Sequence, residues 1–144
     1  MARVKIDLPG TMNFSTQIPV TIQDVNYGGH VGNDSILSFI HEARIRFLAS
    51  MGYQELDKEK GTGLIMADAA IVYKGEGFHG DLFDISVGVG DITPFGFDIY
   101  YRIATNRNDN TVLIAEAKSG MIYFDYNERR VARLPEEWKQ KITA

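Results

Sequence analysis

The sequence predicts an α+β domain in which one long helix covers one face of an antiparallel sheet. Three observations predict it: a single long segment of helical periodicity, about four later segments of strand character, and short turns between those strands. Strands joined by short turns pair antiparallel. A helix set apart from a run of strands, rather than alternating with them, marks α+β architecture.

Residues 17–23, QIPVTIQ, place Ile18, Val20 and Ile22 on one side of a strand. From Asp34 to Met51 the pattern turns helical, with Asn33 or Asp34 available as N-cap and Gly52 as the stop. At ~100° per residue, Ile36, Ile40, Ala43, Phe47 and Met51 share one stripe, flanked by Leu37 and Leu48. Residues 63–74 read as a strand with a nearly continuous apolar end. Residues 83–89 alternate through Phe83, Ile85, Val87 and Val89, and residues 97–104 through Phe97, Ile99, Tyr101 and Ile103. NRNDN (106–110) makes a turn, 111–125 a long strand interrupted by Gly120, and 134–142 a short helix with Pro135 at its first position.

The 144 residues read as one domain, 1–144, long enough to bury a sizeable core. A net charge of −4, with no basic run longer than two residues, argues against a nucleic-acid partner. The lack of cysteine excludes disulfides, thiolate metal sites and a cysteine nucleophile, and agrees with a cytoplasmic location. MARVKIDLPGTMNF lacks the apolar core of a signal peptide, and no apolar run approaches the ~20 residues that span a bilayer, so membrane insertion is not expected. His30, His41 and His79 are scattered without ligand spacing, so no metal site is expected. The glycine-rich GEGFHG (75–80) lacks the strand–glycine–helix context of a phosphate loop and reads as a turn.

Polar chemistry concentrates in DVNYGGHVGN (24–33). Asp24 and Asn26 share strand parity with Ile22, so an extended chain would aim both at the face where the helix packs. Burying either without a partner costs roughly 2–7 kcal/mol, and more for a charge. Each is therefore hydrogen-bonded to nearby backbone or lines a cavity. Gly28 and Gly29 allow a sharp turn or close approach to a ligand. His30 stands shortly before the helix N-terminus, whose free N–H groups and dipole favour developing negative charge. Asx turns and helix caps use the same residue types, so a purely structural turn is the alternative.

Together with its helix, QDVNYGGHVGNDSILSFIHEAR resembles the signature of the hot-dog-fold acyl-CoA thioesterases of the 4-hydroxybenzoyl-CoA thioesterase type. Asp24, Asn26, Gly29, His30, Val31, Asn33, Glu42, Ala43 and Arg44 fall at matching positions. YKGEGFHGD (73–81) resembles a second family segment through Tyr73, Gly80 and Asp81, without the family's proline. AEAKSGMIYFD and RLPEEW are similar to the last strand and closing helix. The resemblance implies a hot-dog fold, a long central helix wrapped by an antiparallel sheet of about five to six strands. It implies hydrolysis of an acyl thioester of CoA or acyl carrier protein to a carboxylic acid and free thiol, without metal or organic cofactor. It also implies a homodimer or dimer of dimers with the site between subunits; a helix on one face of a sheet does leave a strand edge for a second chain.

The resemblance breaks at Asn26, where the best-understood members carry the carboxylate that attacks the thioester or activates water. An amide does not ionise, so it serves neither as general base nor as ordinary nucleophile. Three arrangements are compatible with it. Asn26 holds the carbonyl or a water while Asp24 or His30 supplies the base; Glu42 supplies the carboxylate, although Arg46 four residues on offers it an ion pair; or the site binds acyl thioesters without hydrolysing them. A hydratase or dehydratase on the same scaffold is a further alternative that the whole-chain pattern matches less well.

Histidine titrates near neutral pH, which makes His30 the first candidate for proton transfer. Asn33 matches the family position whose backbone N–H polarises the thioester carbonyl. Phe39, Ile65 and Met66 are the candidate acyl contacts, with Tyr27, Gly29 and Tyr73 as further substrate contacts. Arg44 falls inside the apolar arc of the helix and should either snorkel outward or pair with a carboxylate.

Overall fold

The computed structural model describes residues 4–143. Its elements run β1 (Phe14–Pro19), a short 3₁₀ turn (Ile22–Asp24), α1 (Asn33–Ser50), β2 (Leu56–Asp57), β3 (Thr62–Tyr73), β4 (Leu82–Thr93), β5 (Gly96–Arg107), β6 (Asn110–Asp125), β7 (Arg130–Val131) and α2 (Glu136–Thr143). All strands belong to one antiparallel sheet in the order β1-β4-β5-β6-β3-β2, with β7 on the end of β6. This is the hot-dog arrangement: one long helix on a curled antiparallel sheet. Five long strands match the expectation, and β2 and β7 add two residues each. No helix among the described residues is long and apolar enough to cross a membrane.

The alternating apolar positions decide which face of each strand turns inward. Phe83, Ile85 and Val87 of β4 and Phe97, Ile99, Tyr101 and Ile103 of β5 are all essentially buried. They meet the buried stripe of α1, formed by Ile36, Phe39, Ile40, Ala43, Phe47 and Leu48. The Phe39 and Phe83 rings pack at 4.8 Å between centroids. Leu37 and Met51 fall at the edges of the stripe: Leu37 is exposed and Met51 half-buried. Trp138 of α2 stacks on Tyr53 at 3.9 Å and closes one end of the core.

Local signals act where expected, with shifted boundaries. Gly52 adopts φ +83, and Tyr53 N–H reaches back to Leu48 O at 2.9 Å, so the helix ends on a left-handed glycine. Asn108 and Asp109 both have positive φ, which makes the β5–β6 connection a tight hairpin of the primed kind. The first strand ends at Pro19, earlier than its alternation suggests, because a turn built on Thr21 and Asp24 takes over. Ile22 consequently points to solvent at 67% exposure. Pro135 stands just ahead of α2 rather than inside it.

β3 pairs with β6 along its whole length, whereas β2 covers only its first two residues. Beyond that point its outer edge has no strand partner among the described residues. Met66, Ala67, Asp68 and Ala69 are exposed in succession, so both faces of the strand are open there.

Phe83 has no exposed surface and carries the contact between α1 and the sheet. Phe83→Ala should cost about 3–5 kcal/mol of unfolding free energy. Urea denaturation checks this; a loss below 1 kcal/mol, on the order of a conservative swap, would mean the α1–sheet contact does not rest on this ring.

Candidate active site

Residues 24–33 fold as a miniature hairpin rather than as an extension of β1. Val25 and Val31 form an isolated antiparallel bridge. Asn26 N–H donates to His30 O at 2.9 Å, Gly29 N–H to Asn26 O at 3.1 Å, and Gly32 N–H to Asp24 O at 3.0 Å. Gly29 sits at φ +78, a conformation that side chains rarely adopt.

This geometry corrects the parity inferred for Asp24 and Asn26. The 3₁₀ turn at Ile22–Asp24 breaks the alternation, so neither side chain points beneath the helix. Asp24 instead turns back on Thr21, accepting from its N–H at 2.9 Å and from its hydroxyl at 3.1 Å. That is a capping box, and it occupies one carboxylate oxygen with two donors. Asn26 is exposed and its Oδ1 accepts from Gly28 N–H at 2.9 Å. Its Nδ2 donors make no hydrogen bond among the described residues.

His30 is half-buried, and its Nδ1 lies 3.1 Å from Val31 O. A carbonyl oxygen only accepts, so Nδ1 carries the proton and Nε2 of the neutral ring holds a free lone pair. A Cβ on Gly28 would stand 3.1 Å from His30 Nε2 and 3.3 Å from Asn26 Oδ1. The missing side chain thus keeps open the space between histidine and amide.

The helix cap falls one residue before Asn33, the earlier of the two expected caps. Gly32 is the N-cap, with no side-chain hydrogen bond, and Asn33 is the first helical residue. The N–H groups of Asn33 and Asp34 have no acceptor among the described residues. A Cβ on Gly32 would lie 2.7 Å from Asp34 Oδ1 and 3.9 Å from Asn26 Nδ2, so the Asp34 carboxylate and the Asn26 amide both stand beside these free donors. Donors converging at a helix start are suited to an oxyanion or a polarised carbonyl.

A second segment holds this loop from behind. Val31 N–H donates to Gly77 O at 2.7 Å. Gly77 is close-packed: a Cβ there would fall 2.5 Å from Phe83 Cζ and 3.0 Å from Val31 Cγ2. Asp81 accepts from Phe78 N–H at 2.8 Å and from Arg107 Nε at 3.2 Å, and Arg107 Nη2 also reaches Asp81 and Glu76 O. The Arg107 guanidinium lies 4.7 Å over the Phe78 ring. Sequence reasoning passes over Arg107, since it sits next to a turn with no motif linking it to position 81.

The other candidates separate. Tyr73 at the end of β3 donates to Asn33 O at 3.3 Å and so touches the site. Tyr27 projects fully into solvent at 110% exposure. Glu42 pairs with Arg46 at 2.8 Å, and Arg46 also bonds Thr16 and Gln17 O, which fastens α1 to β1. Phe39 lies in the core, while Ile65 and Met66 lie on β3 away from the loop. Arg44 is buried and pairs with Glu55 at 3.6 Å, the second of its two expected outcomes; His41 is solvated, with a contact to the same carboxylate at 3.0 Å. Among the described residues no group of three metal-ligating side chains forms.

The model of the thioesterase-like superfamily matches residues 20–142. No curated protein matches the sequence. Among solved structures, a 1,4-dihydroxy-2-naphthoyl-CoA thioesterase from Synechocystis superposes with a TM-score of 0.81 at 22% identity, over 90% of this chain and 95% of that one. A gentisyl-coenzyme A thioesterase gives 0.77 at 16% identity, over 90% and 99%. A Staphylococcus aureus protein solved in complex with CoA gives 0.81 at 18% identity, over 90% and 81%. At these identities the likeness shows the shared fold.

Arg107 holds the Asp81 carboxyl below its ordinary 3.8, chiefly by hydrogen bonding and against the opposing effect of burial. A depressed carboxylate adds stability that is present above the unfolded value and lost as pH falls through the folded one. The difference in melting temperature between wild type and Asp81→Asn should therefore be full above pH 4 or so and shrink at lower pH. Thermal melts across that range check this; a pH-independent gap would assign Asp81 to neutral hydrogen bonding alone.

Proposed function

This chain belongs to the thioesterase-like superfamily, and from that premise we propose that it hydrolyses acyl-CoA to a carboxylic acid and free CoA at loop 24–33. The observation that carries the reading is the convergence of three features: the lone pair of His30 Nε2, the amide donors of Asn26, and the free N–H groups at the start of α1.

In this mechanism the thioester oxygen accepts from the N–H groups of Asn33 and Asp34 and from Asn26 Nδ2. These donors stabilise the oxyanion as it forms. His30 Nε2 takes a proton from water while the water oxygen bonds to the carbonyl carbon. The tetrahedral intermediate collapses, the C–S bond breaks, and the thiolate leaves with the proton from His30. Asp24 acts as a positioning residue through its cap on Thr21, and Glu42 takes no part. The reaction needs neither metal nor organic cofactor. Gly29 and Tyr73 border the thioester, Ile65 and Met66 of β3 lie along the acyl direction, and Phe39 stays in the core against Phe83.

A second copy of the chain completes this reading. The open edge of β3, exposed on both faces at residues 66–69, offers unpaired backbone groups of the kind a homodimer buries. Tyr27, which touches little of its own chain, would then meet the second copy. A dimer of dimers and an acyl-carrier-protein substrate remain compatible with the same site.

The second reading is a non-catalytic acyl-thioester-binding protein, favoured by Asn26 in place of an ionisable acid. Free-thiol release from short, long and aromatic acyl-CoAs tests both. Hydrolysis by wild type should fall about 10²–10⁴-fold in His30→Ala, while Asp24→Asn should lose stability more than turnover. Inert wild type with activity appearing in Asn26→Asp would establish the binding protein.

A further inference from the structure

Arg44 occupies an unusual position for a cation. It lies on the inward side of α1 with 5% of its surface exposed. A guanidinium carries five N–H donors. Among the described residues, one of these makes a hydrogen bond: Nη1 donates to the buried Tyr101 hydroxyl at 3.3 Å, which in turn contacts Ser119 at 2.8 Å. Nε is shielded from solvent without a hydrogen-bond partner. Its ion-pair partner, Glu55 at 3.6 Å, is also engaged by His41 at 3.0 Å. The Nη2 donors make no hydrogen bond among the described residues and are not sealed from solvent, so they are open to an acceptor that enters beside them.

The same arginine borders a groove of about 220 Å³, walled by Leu37, Ser38, Ile40, His41 and Met66. Its walls are mainly apolar, and Arg44 contributes the buried cation. Residues 37, 41 and 44 follow one another along a single face of α1. At ~1.5 Å per residue, the groove opens about 6 Å along the axis from Asn33 and reaches Arg44 at about 16 Å. Side chains on a helix slant toward its N-terminus, which shortens the second distance. An acyl group whose carbonyl rests at the start of α1 and which runs along the helix would bring its far end to this guanidinium.

We propose that the acyl groups taken by this protein carry an oxygen acceptor at the end remote from the thioester, and that Arg44 receives it. The proposal rests on acyl-thioester binding at loop 24–33. Arginine donates and never accepts, so the recognised group is a hydroxyl, phenol or carboxylate oxygen. A purely hydrocarbon terminus would displace water from these donors and give them no partner in return. Arg44 thus sets specificity, acting on the substrate terminus and not on the reacting carbon.

Calorimetric titration with non-hydrolysable thioether analogues of octanoyl-CoA, ω-hydroxyoctanoyl-CoA and suberyl-CoA tests this without requiring turnover. Wild type should bind at least one oxygenated analogue about tenfold or more tightly than the octanoyl analogue, the scale of one hydrogen bond to a charged group; which one wins separates hydroxyl from carboxylate recognition. Arg44→Met should equalise the three. Should that variant fail to fold, Met66→Trp, at the exposed rim of the groove, should weaken the oxygenated analogues instead. Equal wild-type affinities, or a preference that survives Arg44→Met, would overturn the assignment, as would oxygenated-analogue affinities that Met66→Trp leaves unchanged. Thiol release from the corresponding thioesters reads the other premise. A preference without hydrolysis would sink the hydrolase reading and keep Arg44's role, and indiscriminate hydrolysis would do the reverse.

Discussion

The burial of one helix face against the concave side of the sheet is the constraint on which the rest of this structure depends. Ile36, Phe39, Ile40, Ala43, Phe47 and Leu48 have no other apolar surface to meet. Once they pack on β4 and β5, the start of α1 is held at a defined place over the sheet. Every feature of the candidate site is measured from that point. The free N–H groups of Asn33 and Asp34, the Asn26 amide and the His30 lone pair are useful together because the helix cannot slide or rotate.

The loop before the helix shows how such a site is braced. Its backbone is closed by its own hydrogen bonds and then tied at Val31 to Gly77. Gly77 is in turn wedged on Phe83, the same ring that supports Phe39 of α1. Core packing and site geometry therefore share a residue. Arg107 and Asp81 fix the far side of this brace, so a charged pair remote in sequence from His30 holds the strand of chain against which His30's loop is set.

Two acids near the site are used up by structure. Asp24 caps the turn that ends β1, and Glu42 joins Arg46 in fastening α1 to β1. Asn26 cannot ionise. Asp34 at the start of α1 keeps a carboxylate without a hydrogen-bond partner among the described residues, beside the donors of the loop and the open lone pair of His30. The donors suit a carbonyl oxygen acquiring charge, and the open lone pair of His30 suits a proton in transit.

The sequence by itself determined the α+β class, the five long strands, the apolar stripe of α1 and the loop in which polar groups gather. Each of these is encoded by residues close together in the chain: period-two alternation, a helical repeat, glycine at a helix stop, and Asn-Asp in a tight hairpin. The tertiary structure alone decided which groups in the loop are free. Alternation extended through Ile22 aimed Asp24 and Asn26 at the core, but a four-residue capping box won locally over strand parity and turned both away. It alone decided that β3 lies beside β6 and not β4, that Arg107 meets Asp81, and that Arg44 is buried against Tyr101 and Glu55. Those outcomes depend on pairings between distant segments, chosen by the fit of whole surfaces, and no local pattern of residues carries them.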